Sequence, residues 1–295
     1  MSLDSSPDGE TIGLIGVGLI GTALASRLSQ ARFAVLGHDI AADRQAAIER
    51  EGGRFATTAG EVFERCDRVI LSLPDDEIAS RTLSAATLRS GQTIIDATTG
   101  RPSSAERWSE DLKPRRAWYL EATISGSSAA VRDGQALTMV GGEADAIERC
   151  RDLFDAIGSR WIVTGPAGSA SRMKLATNLA LGLNRIALAE SLSFAEALGL
   201  DPRATLEALR SGAAYSRAMD PKGEKMLARD YAPQARLSQH LKDVRLILEL
   251  GAEVGAPLPF SELHRRWLEM AEDAGWGSSD NSAIIELFRV GRARS

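Results

Sequence analysis

The sequence predicts an α/β fold: an N-terminal, doubly wound and mostly parallel sheet, followed by an all-α C-terminal domain that is entered through a long helix. Short apolar runs alternate with alanine-rich amphipathic stretches from residue 11 to about residue 163, a pattern typical of βαβ units. A proline-free stretch at 169–198 then favours one long helix, and only helical patterns follow it. We therefore predict two domains, residues 11–165 and residues 166–295.

Each element is predicted from its own pattern. Apolar runs give seven candidate strands, which are TIGLIGV, FAVLGHD, RVILSLP, QTIIDAT, WYLEATI, LTMVGG and SRWIVTG. Amphipathic stretches between them predict helices at about 21–30, 42–51 and 75–88. Beyond the long helix, further helices are expected at about 202–211, 237–254, 259–274 and 281–289.

Composition excludes several classes of function. The 295 residues are 44% hydrophobic and 25% charged, which is ordinary for a soluble globular protein. A net charge of −5 argues against nucleic-acid or membrane binding, and no apolar run approaches the roughly 20 residues that cross a bilayer. The polar start MSLDSSPDGE resembles no targeting segment, so we expect a cytoplasmic protein. Two cysteines are too few for a disulfide framework or a metal cluster, and no metal is expected.

A glycine-rich turn follows the first predicted strand. The segment GVGLIG matches G-x-G-x-x-G and opens the first predicted helix, which is the context of a dinucleotide-binding Rossmann domain. Gly16 permits the tight turn, Gly18 lets the backbone approach a pyrophosphate, and Gly21 lets the helix pack closely on the strand. The free N–H groups of the helix N-terminus favour phosphate. The predicted cofactor-binding residues here are Gly16, Gly18, Leu19, Ile20 and Gly21.

The next strand, FAVLGHD, ends on an acidic residue. Asp39 lies 18 residues beyond Gly21, close to the spacing of about 20 at which a carboxylate binds the adenosine ribose. Such a carboxylate repels a 2′-phosphate, so NAD is expected and NADP is the less favoured cofactor. Arg44 nearby leaves NADP open, because an arginine could bind that phosphate instead.

Three further motifs carry a family resemblance. They are Asp96-Ala97-Thr98-Thr99 with Pro102, the segment EATISGSSAAVRDGQALTMVGG, and the segment GSASRMKLATN, with a later Lys242-Asp243 pair. Together with the glycine-rich turn, and in this order, they resemble the β-hydroxyacid dehydrogenases, which include 3-hydroxyisobutyrate dehydrogenase and tartronate semialdehyde reductase. The resemblance spans residue 12 to about residue 288. It implies hydride transfer between a nicotinamide cofactor and a small carboxylate-bearing β-hydroxy acid.

The long helix carries the predicted catalytic residues. Lys174 and Asn178 are four residues apart and so share a helix face, which Arg185 continues. A partly desolvated lysine can act as an acid or a base, whereas an arginine cannot. The resemblance implies that Lys174 exchanges a proton with the substrate hydroxyl and that Asn178 donates a hydrogen bond to the substrate oxygen.

The resemblance also implies the remaining site residues. Ser125, Gly126 and Ser127 are expected to bind the substrate carboxylate, and Lys242 to reach the cofactor or the substrate. Leu73, Pro74 and Thr98 are expected to flank the nicotinamide. The chain departs from the family pattern at Thr177, Thr123, Ile124, Ser127 and Ala235. These positions lie where the substrate is expected, so they leave its identity open.

Two other functions are compatible with a Rossmann domain of this kind. An imine reductase of the same fold typically has Asp or Tyr in place of the lysine, and Lys174 argues against it. A non-catalytic NAD-binding sensor would not need the Lys174–Asn178 pair. His38, His240 and His264 show no metal-ligand spacing and are interpreted as incidental. The apolar surface of the long helix favours a homodimer or a homotetramer.

Overall fold

The computed structural model describes residues 10–292 of the chain. They form two compact units, the first ending at Lys174 and the second beginning at Leu175. The boundary lies inside one long helix, Ser169–Ala197. Each unit is described by itself.

The first unit contains an eight-stranded sheet. Its strands are β1 Thr11–Ile15, β2 Ala34–His38, β3 Arg54–Phe55, β4 Arg68–Leu71, β5 Thr93–Asp96, β6 Trp118–Ser125, β7 Leu137–Gly141 and β8 Arg160–Gly165. The order is β3-β2-β1-β4-β5-β6-β7-β8, and only the β6–β7 pair is antiparallel among these strands. The order reverses between β1 and β4, where an open α/β sheet leaves a crevice for a ligand. The predicted fold class is confirmed; β3, only two residues long, was not predicted.

Eight helices connect the described strands. They are α1 Leu19–Gln30, α2 Gln45–Arg50, α3 Ala59–Arg65, α4 Asp76–Ser84, α5 Pro102–Leu112, α6 Ser128–Arg132, α7 Ala144–Arg149 and α8 Arg151–Ile157. The prediction for 42–51 was wrong in part, because a 3-10 turn at Ala42–Arg44 precedes α2. The prediction for 75–88 was too long. Asp75 is the N-cap of α4, and its side chain accepts a hydrogen bond from Ile78 N. The helix ends at Ser84.

Both faces of the sheet are buried. Alternate residues of the central strands point to opposite faces: Leu14 and Ile70 join one apolar cluster with α1 and α8, while Val69 and Leu71 join another with α3, α4 and α5. This two-sided core makes the sheet a rigid support for the loops at the carboxyl ends of its strands.

The described part of the second unit consists of helices and their connections, with one isolated antiparallel bridge between Arg236 and Asp280. Helix α9 (Ser169–Ala197) leads into it, and α10 Pro202–Ser211, α11 Met219–Ala228, α12 Leu237–Glu253, α13 Pro259–Ala271 and α14 Ile285–Arg292 follow. The prediction for 259–274 was too long, because a wider π-turn at Glu272–Trp276 succeeds α13. The segment 281–289 begins as a 3-10 turn, Asn281–Ile284, before α14.

Helix α11 was not predicted, and its sequence explains why. MDPKGEKMLA contains Pro221 and Gly223, both poor helix formers. Pro221 lies in the first turn, where a missing N–H is tolerated. Glycine is needed at position 223, because a Cβ there would lie 2.5 Å from a methyl group of Leu206. Tertiary packing therefore overrides a weak local preference. Among residues 10–292, no helix has the length and apolar character needed to span a membrane.

Candidate active site

The glycine-rich turn joins β1 to α1 with almost no spare room. Gly16 has φ +95°, and a Cβ on it would lie 2.2 Å from the carbonyl oxygen of Ser72. A Cβ on Gly21 would lie 1.9 Å from the carbonyl oxygen of Gly16. Both positions therefore require glycine, as the motif predicted.

Gly18 differs from the other two glycines. It is the N-cap of α1, and no side chain caps this helix start. Apart from its two chain neighbours, no described residue places an atom within 4 Å of the position that a Cβ would occupy. Leu19 and Ile20 begin the helix beside this space. Uncapped N–H groups next to free volume at a helix N-terminus fit the pyrophosphate of a dinucleotide cofactor.

Asp39 follows β2 and faces the same turn. Its Oδ2 accepts a hydrogen bond of 2.7 Å from Val17 N, and its Oδ1 accepts one of 2.9 Å from Ala41 N. Each carboxylate oxygen has a second acceptor position, so both can still receive ribose hydroxyls. Arg44 lies 3.7 Å from Asp43 in an exposed ion pair.

The carboxyl ends of β4 and β5 are joined by hydrogen bonds. Leu73 N, next to Pro74, donates to Thr98 Oγ1 at 3.2 Å, and Thr98 N donates to Asp96 Oδ1 at 2.8 Å. Tyr119 OH donates to the other Asp96 oxygen at 2.7 Å, and burial raises the pKa of this carboxyl group. The residues expected to flank the nicotinamide thus lie together at one edge of the sheet.

Lys174 is buried and contacts the end of β6. Its Nζ donates a 2.6 Å hydrogen bond to the carbonyl oxygen of Ile124, and the residue is only 7% exposed. Because Ile124 precedes the Ser125–Gly126–Ser127 turn, the lysine and the expected carboxylate-binding turn are neighbours. Ser127 Oγ accepts from Ala130 N and caps α6, which leaves its hydroxyl proton available.

Glu121 supports this arrangement and was missed by sequence reasoning. Its carboxylate lies in β6, is 1% exposed, and accepts hydrogen bonds from the start of α9. The donors are Gly168 N at 2.6 Å, Ala170 N at 3.3 Å, Ser171 N at 3.0 Å and the Ser171 hydroxyl. Burial raises the pKa of this carboxyl group, and these hydrogen bonds oppose the rise. An acidic residue inside the apolar run WYLEATI was the available signal, because a buried charge requires partners.

Asn178 lies one turn beyond Lys174 and has its own partner. Its Nδ2 donates to Asp243 Oδ2 at 2.9 Å, and Lys242 Nζ lies 3.1 Å from Asp243 Oδ1. The second residue of the Lys242-Asp243 pair is therefore the direct partner of Asn178. Lys242 itself is 29% exposed at its side chain.

Comparisons with known families cover almost the whole chain. Residues 11–165 match the family model for the NAD-binding domain of 6-phosphogluconate dehydrogenase. Residues 168–288 match the NAD-binding model of NADP-dependent 3-hydroxyisobutyrate dehydrogenase. Together the two matches confirm the family resemblance that the motifs predicted.

Individual relatives agree with these models. The chain is 28% identical to 2-hydroxy-3-oxopropionate reductase of Escherichia coli (strain K12), over 95% of this chain and 97% of that one. Its fold matches that of 3-hydroxyisobutyrate dehydrogenase from Salmonella typhimurium with a TM-score of 0.87 at 22% identity, covering 94% and 99% of the two chains. An imine reductase from Pseudomonas sp. shares the fold with a TM-score of 0.67 at 21% identity, covering 95% and 99%. The chain therefore belongs to the β-hydroxyacid dehydrogenase family of NAD(P)-dependent oxidoreductases.

Proposed function

We propose that this protein transfers a hydride between the nicotinamide of NAD and the hydroxyl-bearing carbon of a small β-hydroxy acid, with Lys174 as the general acid and base. The observation that carries the proposal is the buried Lys174 ammonium group, which donates to Ile124 O beside the Ser125 turn. The names of the reductase relative and of the dehydrogenase with the same fold support it.

Lys174 performs the proton transfer in this proposal. A bound nicotinamide supplies the acceptor or the donor of the hydride. In the oxidation direction, neutral Lys174 takes the hydroxyl proton while the substrate carbon loses its hydride; in reduction, the ammonium form returns a proton to the new alkoxide. Proton transfer by a positioned group contributes about 10²–10⁴-fold to a rate.

In this proposal, further groups orient the substrate. The backbone N–H groups and hydroxyls of Ser125, Gly126 and Ser127 bind its carboxylate. Asn178 uses one amide hydrogen on Asp243, so its second amide hydrogen can hold the reacting oxygen. Lys242, partly exposed beside Asp243, adds a positive charge for the cofactor or the substrate.

A panel assay with matched lysine variants tests this function. Turnover of small β-hydroxy acids and semialdehydes is measured for the wild type, for Lys174→Ala and for Lys113→Ala, which removes a surface lysine paired with Glu110. We expect Lys174→Ala to lose about 10²–10⁴-fold in kcat while the Kd for NADH stays unchanged, and Lys113→Ala to match the wild type. Equal rates in all three proteins would refute the role of Lys174.

The same panel separates the two alternatives. Turnover of cyclic imines alone would identify an imine reductase, whose fold this chain shares. NADH binding without turnover of any compound would identify a sensor.

We further propose that NAD is preferred over NADP, because the Asp39 carboxylate faces the turn that receives the cofactor. Asp39→Asn keeps an acceptor for Val17 N and removes the charge, whereas Asp39→Ala removes both. We expect each variant to shift the ratio of kcat/KM for NADH and NADPH at least about tenfold toward NADPH, since charge repulsion of a phosphate is lost. A ratio unchanged in both variants would contradict this preference.

The surface of α9 supports a further proposal, which concerns assembly. Phe194 is 63% exposed and Leu198 is 59% exposed near the end of this helix. We propose a homodimer or a homotetramer in which residues 166–295 supply substrate contacts and the interface, while residues 11–165 bind the cofactor. Sedimentation velocity on the wild type and on Phe194→Ser tests this assembly, and a monomeric wild type would exclude it.

A further inference from the structure

Asp96 is a buried acid whose hydrogen-bond partners are all neutral. It ends β5 and is 5% exposed. Its two oxygens accept from Thr98 N at 2.8 Å and from Tyr119 OH at 2.7 Å, and the Thr98 hydroxyl also hydrogen-bonds to it. Among residues 10–292, no cationic side chain forms an ion pair with Asp96. A buried charge without a counterion is unfavourable in a fold, so its presence calls for a reason.

The hydrogen bonds to Asp96 favour its charged form. Burial raises the pKa of this carboxyl group, and the bonds from Thr98 and Tyr119 oppose the rise. Because Leu73 N donates to Thr98 Oγ1, the proton of that hydroxyl is directed toward Asp96. Tyr119 keeps its own proton, since burial and the charge of Asp96 raise its pKa. Three donors directed at one carboxyl group stabilise the carboxylate.

A second acid adds to the negative charge at this end of β5. Asp76 begins α4, and its Oδ2 accepts from the Ser104 hydroxyl at 2.6 Å. Its charge raises the pKa of both Asp96 and Tyr119, so Asp76 and Asp96 are near enough to interact. Within the described part of the chain, neither acid has a cationic partner, and the carboxyl end of β5 is therefore negatively charged.

The strand order places this charge on the nicotinamide side of the crevice. In the sheet, β2 lies on one side of β1, and β4 and β5 lie on the other. Since Asp39 follows β2, the adenosine ribose belongs to that side, and the nicotinamide half belongs over the carboxyl ends of β4 and β5. Neighbouring strands are about 4.8 Å apart, so β5 lies roughly 10 Å from β1. Ala97 and Thr99, which follow Asp96, are partly exposed and offer a surface for the ring.

The two forms of the cofactor differ in charge at the nicotinamide ring, which is positive when oxidised and neutral when reduced. We infer that the Asp96 carboxylate stabilises the oxidised cofactor relative to the reduced one, and so makes bound NADH the stronger hydride donor. The charge acts through space, so neither the ring nor the substrate has to reach Asp96. This inference rests on the proposed function, which supplies the hydride acceptor and the position of the ring.

Three variants separate the charge of Asp96 from its hydrogen bonds. Asp96→Asn keeps the shape: its amide oxygen accepts from Thr98 N, and its NH₂ group donates to Tyr119 OH, which can also accept. Replacing a buried ion that lacks a counterion by a neutral group should leave folding intact. Tyr119→Phe removes one donor and keeps the charge. Asp155→Asn neutralises an exposed acid on α8 that accepts from Trp161.

The measurement is the pair of dissociation constants for NAD and NADH, obtained by calorimetric titration without substrate. In Asp96→Asn we expect the ratio of Kd for NAD to Kd for NADH to rise at least about tenfold, mainly through weaker NAD binding. Two unit charges about 8 Å apart have an effect of this size at an effective dielectric constant of about 20. Tenfold corresponds to about 30 mV in the potential of the bound cofactor. Tyr119→Phe and Asp155→Asn should keep the wild-type ratio within about threefold.

Two results would overturn the inference. One is an unchanged ratio in Asp96→Asn. The other is an equal shift in Tyr119→Phe, because the geometry of the hydrogen bonds and not the charge would then determine the ratio. If Asp96→Asn does not fold, Asp76→Asn takes its place, since it keeps an acceptor for Ser104. It should shift the ratio about threefold in the same direction, and an unchanged ratio there would equally overturn the inference.

The titration also separates this inference from the proposed function. If no hydroxy acid is turned over but the ratio shifts in Asp96→Asn alone, the proposed function fails and the role of Asp96 stands. If small β-hydroxy acids are turned over and the ratio does not depend on Asp96, the role of Asp96 fails and the proposed function stands.

Discussion

The glycine-rich turn and the polar face of α9, formed by Lys174, Asn178 and Arg185, are built by different means. The shape of the turn depends on its backbone. Gly16 has φ +95°, and a Cβ on Gly21 would lie only 1.9 Å from the carbonyl oxygen of Gly16. The face uses side chains whose partners lie far away in sequence, such as Asp243 for Asn178. Local sequence therefore specifies the turn, whereas the face depends on the folding of its unit.

The largest effects are expected for alanine substitutions in the glycine-rich turn, where Gly21 is closely surrounded and Gly18 borders free space. Gly21→Ala places a methyl group against the Gly16 carbonyl, so we expect a loss of about 3 kcal/mol or more in unfolding free energy together with loss of NADH binding. Gly18→Ala meets no protein atom and should stay within about 1 kcal/mol of the wild type, yet bind NADH at least about tenfold more weakly. Urea unfolding and NADH fluorescence measure both.

Two results would break this distinction. A stable Gly21→Ala that binds NADH normally would show that the turn relaxes. A Gly18→Ala protein with unchanged NADH affinity would show that the cofactor does not occupy the free volume beside Gly18.

The same contrast explains how much of the site could be predicted. Gly16, Gly18 and Gly21 follow from a local motif, and the helical spacing places Lys174, Asn178 and Arg185 on one face. The spacing does not reveal that Nε and Nη1 of Arg185 are buried without a hydrogen-bond partner, or that Asp280 accepts from Lys222 and from backbone N–H groups.

The histidines and Glu121 show a similar limit. His240 and His264 were interpreted as incidental because no ligand spacing relates them, and they meet only because α12 and α13 both bring a ring to Gly182. Glu121 lies in a predicted strand, but its partners come from the start of α9, about 50 residues later. Pairings between distant segments leave little trace in a single sequence.

An intermediate effect is expected at Glu121, where a side chain holds the start of the helix that carries Lys174. Glu121→Gln keeps the shape but presents an NH₂ group to two of the four donors, because each carboxylate oxygen accepts from two of them. We therefore expect the unfolding free energy to fall by about 1–3 kcal/mol. A displacement of Lys174 by about 1 Å should also lower kcat up to about 100-fold with the KM for NADH unchanged. Steady-state kinetics at a temperature where the variant is folded measure this split.

Ser171→Ala is the matched control for Glu121→Gln, because it removes one of the donors and leaves the carboxylate with its backbone partners. Its kcat should lie between those of the wild type and the glutamine variant. If Glu121→Gln is destabilised but keeps the full kcat, the carboxylate stabilises the fold without positioning Lys174.

The smallest effect is expected in the pH dependence of stability, through the buried His264, which packs against α9 at Gly182. Burial, and then the positive charge of Arg185, lower the pKa of His264 from 6.5 to about 4. Between these pH values the unfolded chain therefore binds a proton that the folded protein does not. Stability from this group is complete above pH 6.5 and is lost as pH falls toward 4. Between pH 8 and pH 5 the wild type should therefore lose about 2 kcal/mol more unfolding free energy than His264→Gln. Urea unfolding at both pH values measures the difference. Parallel stability curves for the two proteins would show that the pKa of His264 is the same in the folded and the unfolded state, and would contradict the prediction.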